Sequence, residues 1–206
     1  MWNKLPPVMR VRMSSREIAL IGMMLGLSLL FDVMPIEMPT VWGMKIDLVA
    51  VPIVMVYLLT GFTGGLTAVL LLFAGLSVVS SASWLGAMMK SLATLSVIVG
   101  FEAARRLTRF DLGDGTRQRL LLFAVVAYLA GIAIRIPLML ALNYYVALEI
   151  WLGLPREQVI QAVESWTGVP FWVAIGLPNA IQSAIDVFIG LLATVPVLRR
   201  VPHLLE

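Results

Sequence analysis

Six apolar runs, separated by short polar interruptions, set the pattern of this 206-residue chain. A helix needs about 20 mostly apolar residues to cross about 30 Å of hydrocarbon, and the runs meet or approach that length. The first covers about 15–34, with Ser14 or Ser15 placed to cap it. The second covers about 47–60, and the third, about 64–80, follows the tight Gly61-Phe62-Thr63-Gly64-Gly65 turn. The fourth covers about 84–107 and the fifth about 119–145, in which Pro137 predicts a kink. The last, about 170–198, is long enough to tilt and to bend near Pro178. The second and third are short. They either cross a locally thinned bilayer or form one re-entrant hairpin. The pattern predicts an all-α membrane protein: a six-helix bundle over 15–198, an arm over 1–14 and a tail over 199–206. Arg10, Arg12 and Arg16 precede the first run as they would in a signal peptide. No small-x-small cleavage site follows it, so it reads as a retained span.

Composition supports the class. Apolar residues make up 60% and charged residues 13%, with a mean hydropathy of +0.96. A soluble domain carries about 45–50% apolar and about 25% charged residues. Without cysteine, disulfide frameworks, thiolate metal sites and thiol nucleophiles are excluded. A pI near 9.6 would suit a nucleic-acid partner, but the basic residues gather at helix ends, so no nucleic acid is expected.

Those positions also predict sidedness. With six spans, eleven basic residues share one side with both termini: Lys4, Arg10, Arg12, Arg16, Arg105, Arg106, Arg109, Arg117, Arg119, Arg199 and Arg200. Only Lys45 and Arg156 fall on the other, beside Asp32, Glu37, Asp47, Glu149, Glu157 and Glu164. By the positive-inside rule both termini are cytoplasmic. Two outer loops are long, about 32–46 and about 146–169. Within the second, Pro155-Arg156-Glu157 opens a helical pattern with Val159, Ile160 and Val163 on one face. It reads as an interfacial helix or lid, with Trp151 and Trp166 at headgroup level, or as a solvated connector.

Charge at bilayer depth costs about 2.5–3.5 kcal/mol on insertion scales and therefore faces a cavity or a partner. Lys90, Arg135 and Asp186 are the candidates, the last able to pair with either cation. Asn179, Gln182 and Asp186 fall at i, i+3 and i+7, one stripe of the last helix, and Asn143 follows Arg135 about two turns on. Amides at such positions either bond neighbouring helices or line a pocket. Catalytic signatures are missing. The lone His203 lies in the tail, Gly113-Asp114-Gly115 is a loop turn and no Walker motif occurs. Asp111-Leu112-Gly113-Asp114 is the nearest approach to a Mg²⁺-holding acidic cluster, and a loop turn accounts for it. Gly22-Met23-Met24-Leu25-Gly26 forms a small-xxx-small step that admits close approach of another helix.

Two stretches carry a resemblance. Met44-Lys45-Ile46-Asp47-Leu48-Val49-Ala50-Val51-Pro52, followed by Gly61-Phe62-Thr63-Gly64-Gly65, resembles the Lys-Ile-Asp…Pro…Gly-Pro…Gly pattern of the riboflavin-specific S-components of energy-coupling factor (ECF) vitamin transporters, with Phe62 in place of Pro. Pro178-Asn179-Ala180-Ile181-Gln182 is similar to the Phe-Asn-x-x-Lys segment that contacts flavin in that branch, with Gln182 where Lys is usual. The resemblance implies a six-helix vitamin-binding subunit in the cell membrane and no enzymatic activity of its own. Riboflavin, or alternatively another vitamin or precursor, would be the transported ligand, with no cofactor. It implies a pocket drawing on Lys45, Asp47, Trp84, Lys90, Asn143, Asn179, Gln182 and Asp186, opening outward between the last three spans beneath the first outer loop. It also implies that Gly22 and Gly26 dock a transmembrane coupling subunit, which works with two ATPase subunits.

Overall fold

The computed structural model describes residues 13–34, 37–81, 83–110 and 116–200, the side chain of residue 199 excepted. Most of the N-terminal arm, the 111–114 acidic pair and the tail beyond 200 lie outside the described residues. Helix α1 (Ser15–Val33) starts where Ser14 accepts a hydrogen bond from the Glu17 amide and donates its own amide to the Glu17 carboxylate. This reciprocal cap satisfies two N–H groups that the first turn leaves open. A two-stranded antiparallel hairpin follows, β1 (Met38–Pro39) with β2 (Lys45–Ile46), pairing Met38 with Ile46. Helices α2 (Ala50–Thr60) and α3 (Phe62–Val79) are separated by Gly61, whose φ of +83° favours glycine. A Cβ on Gly64 would lie 1.9 Å from Thr60 Oγ1, and one on Gly65 2.8 Å from Tyr57 Cβ. The tight turn therefore needs all three glycines.

Helix α4 (Ser83–Thr108) packs along α5 (Arg117–Leu142) in the most extensive helix pair of the fold. The backbones meet at Gly100, where a Cβ would stand 2.6 Å from the Ala127 carbonyl oxygen. Helix α5 continues through Pro137, widens into a π turn over Asn143–Ala147 and runs on as α6 (Leu148–Leu152). The fifth run thus extends seven residues past the 145 expected from hydropathy, because Leu148 packs into the core beneath the outer end. Helix α7 (Arg156–Thr167) precedes α8 (Phe171–Arg200).

Among the described residues four helices are long and apolar enough to cross a membrane: α3, α4, α5 with its extension to Leu152, and α8 as far as Leu198. The protein is a multi-pass helical membrane protein. The other two expected spans differ. Helix α2 has eleven residues, and α1 carries Arg16, Glu17 and Asp32 within its nineteen. Both nevertheless belong to the bundle: Ile53, Val54 and Val56 of α2 are fully buried, and Ile21 of α1 joins them in the main apolar core. That core is continuous through Leu72, Val97, Phe101, Ala127 and Val187.

The two ends of the bundle differ in chemistry. At one end Glu102 accepts from Tyr57, Arg105 and Arg106, tying α2 to α4 near the basic loop. The other end is roofed by the hairpin and α7. Helix α7 buries Val159 and Val163 against Trp42, Leu148 and Phe171 and exposes Glu157, Gln158, Gln161 and Glu164. Its apolar stripe is covered by protein. It packs against the bundle and is not a free solvated connector.

Candidate ligand cavity

The hairpin between α1 and α2 sets the outer boundary of the site. Its tip turns at Gly43, whose φ of +102° favours glycine. That turn delivers Trp42 into the bundle, 5% exposed, where its indole Nε1 donates to the Ala174 carbonyl at 3.1 Å. Leaving the hairpin, the chain reaches Asp47, whose Oδ1 accepts from the Val49 amide at 2.9 Å and helps start α2. Gln182 of α8 then grips Asp47 by its backbone. The Asp47 amide donates to Gln182 Oε1 at 2.8 Å, and Gln182 Nε2 donates to the Asp47 carbonyl at 2.8 Å. One side-chain amide thus satisfies both main-chain groups of a buried residue, as a neighbouring strand would.

Below this clamp lie two charged groups of residues. Lys90 Nζ sits 2.5 Å from Asp32 at the end of α1 and 2.7 Å from Asp47, joining α1, α2 and α4. Arg135, 4% exposed, is held by α8: its Nε donates to Asn179 Oδ1 at 3.0 Å and its Nη1 to Asp186 Oδ2 at 3.0 Å. A longer contact reaches Ser183. Asp186 is fully buried and also accepts from Gln182 Nε2 at 2.7 Å. The spacing of Asn179, Gln182, Ser183 and Asp186 explains the arrangement, since positions three and four apart share one face of a helix. A buried ion without such partners would cost several kcal/mol.

These groups surround a cavity of about 90 Å³. At about 10–15 Å³ per water it is large enough to be wet. Its polar lining comes from Lys45, Asp47, Lys90, Arg135, Asn143, Asn179, Gln182 and Asp186. Trp42, Met44, Met89, Met139 and Trp151 supply apolar and aromatic surface. Asn143 donates its Nδ2 to the Met139 carbonyl at 2.8 Å, which leaves its buried Oδ1 without a donor. A few convergent polar groups in an apolar concavity are the usual composition of a small-molecule site.

No family model matches the chain, and no curated protein matches it. A solved structure does. The S component of a bacterial ECF transporter aligns over 93% of this chain and 98% of its own, with a TM-score of 0.59 and 15% identity. The fold is that of an ECF S component.

Within the S-component fold, seven of the eight expected pocket residues come together: Lys45, Asp47, Lys90, Asn143, Asn179, Gln182 and Asp186 all line the cavity. Trp84 does not join them and is 57% exposed. Helical periodicity explains why. Gly86, Met89, Lys90 and Ala93 form the lining stripe of α4, and Trp84 falls two residues before it, about 200° away. Gly22 and Gly26 lie on exposed α1, with nothing within 4 Å of either missing Cβ. Three residues had no place in the expected pocket. Asp32 holds Lys90, Trp42 lines the cavity from the hairpin, and Arg135 lines it from α5. Trp42 had one available signal: it stands beside glycine in an outer loop that is otherwise free of aromatic residues.

Arg135→Met alone should destabilise the protein by about 3–5 kcal/mol, because Asp186 is left charged and unpaired in an apolar surround. The double variant Arg135→Met/Asp186→Leu should recover most of that loss. Thermal unfolding in detergent measures both, and a double variant no more stable than the single one would contradict the pairing.

Proposed function

We propose that this chain is the substrate-capturing subunit of an ECF-type vitamin transporter in the cell membrane. The observation that carries the proposal is the convergence of α2, α4, α5, α8 and the hairpin on one polar cavity at a single end of the bundle. That end lies opposite the cluster of Glu102, Arg105 and Arg106. In this reading all six runs cross or enter the membrane, α1 and α2 included. The arginine-rich end and both termini are cytoplasmic, and the hairpin faces outward. Ligand enters when the hairpin lifts off α8, breaking the Trp42 and Gln182 contacts, and is retained when they reform.

Riboflavin is the first candidate ligand. Lys45-Ile46-Asp47 and Asn179 match the riboflavin-specific pattern, and the tryptophans of the lining suit a planar ring. A second reading, an S-component for another vitamin, is favoured by Gln182. It stands where that branch carries Lys, and its amide is already bonded to Asp47 and Asp186.

Uptake against a gradient needs an energy source that this sequence does not supply. The proposal therefore assigns a transmembrane coupling subunit and two ATPase subunits as partners. The open face of α1 around Gly22 and Gly26 is the docking surface, where small residues allow backbones to approach closely.

Purified protein titrated with a vitamin panel should bind one member at one molecule per chain and quench fluorescence, since Trp42 and Trp151 line the cavity. Absence of any binder would contradict capture. Gly26→Leu should leave that affinity unchanged while abolishing co-purification of a coupling subunit; an equal fall in ligand affinity would make α1 an internal packing element instead.

A further inference from the structure

We infer that the ligand is uncharged or cationic at the end it inserts into this cavity. The inference rests on the capture reading above and narrows its ligand class. A pocket for a carboxylate or phosphate presents a cation that the protein has left without a carboxylate partner. Here each cation of the lining already has one. Lys45 lies 2.9 Å from Glu37, Lys90 is bracketed by Asp32 and Asp47, and Arg135 is paired with Asp186. Three cations face four carboxylates, which leaves one formal negative charge in excess around the cavity. At the depth of Lys90 or Arg135 an anionic ligand would have to displace a carboxylate from a largely buried pair or sit beside it, and both are penalised there.

Among vitamins this pairing selects neutral heterocycles and cationic amines. It rejects those that bind through a carboxylate or phosphate.

Calorimetric titration with two sets of probes tests this: riboflavin, thiamine and pyridoxamine in one arm, biotin, pantothenate and nicotinate in the other. The expected result is binding confined to the first arm. A carboxylate as the tightest binder would overturn the charge argument while leaving capture intact, whereas silence in both arms would overturn capture and this inference together. Asp186→Asn, by releasing Arg135, should strengthen nicotinate binding about tenfold. Glu37→Gln, at the accessible rim, tests the same point without a buried change and should strengthen it about threefold. If neither variant improves nicotinate binding, the paired cations are not what excludes anions.

Discussion

An ion at hydrocarbon depth persists only against a partner of opposite charge, and the half of this protein that holds the cavity is arranged around that constraint. Arg135 on α5 requires Asp186 on α8, and Lys90 on α4 requires Asp32 and Asp47 at the ends of α1 and α2. Each pair joins helices that the apolar core alone would leave free to slide, because Leu, Val and Ala surfaces pack in many registers. Gln182 links the two sets, bonding Asp47 on one side and Asp186 on the other. The polar residues are thus at once the fasteners of the bundle and the walls of its cavity.

The same interactions join the roof to the site. The hairpin is held at its tip by Trp42 on the Ala174 carbonyl and at its base by Gln182 on the Asp47 backbone. Helix α7 reinforces it through the apolar cluster of Trp42, Val159, Val163 and Phe171. A roof fixed by a few hydrogen bonds and one small cluster opens at lower cost than the main core, which buries Ile53, Leu72, Val97 and Phe101 completely. The roofed end is therefore the easier one to open, while the opposite end is tied by Glu102 to Tyr57, Arg105 and Arg106.

Much of this was legible in the sequence. Hydropathy located the apolar helices to within a few residues except at the far end of α5, since lipid forces each backbone to satisfy itself by helix formation. The i, i+3, i+7 spacing of Asn179, Gln182 and Asp186 placed all three on one face, and they do line one cavity. Other parts were not legible, for physical reasons. Trp42 and Ala174 meet across 132 positions of sequence, and no local pattern encodes such a contact. Asp32 looks like any acid that ends a helix until α4 brings Lys90 beside it. Gln182 carries an amide suited equally to a ligand or to a backbone, and only the fold shows that it serves Asp47. Trp84 lies off the lining stripe of α4, a placement that helical periodicity encodes.

Capture of a solute in this cavity is the claim on which the account depends. The most direct measurement is a crystal structure of the protein grown with its tightest-binding vitamin. The account predicts ordered ligand density between Lys90, Asn143 and Asn179, beneath Trp42, with the hairpin closed over it. Density confined to the lipid-facing surface, with the cavity holding only water, would contradict it.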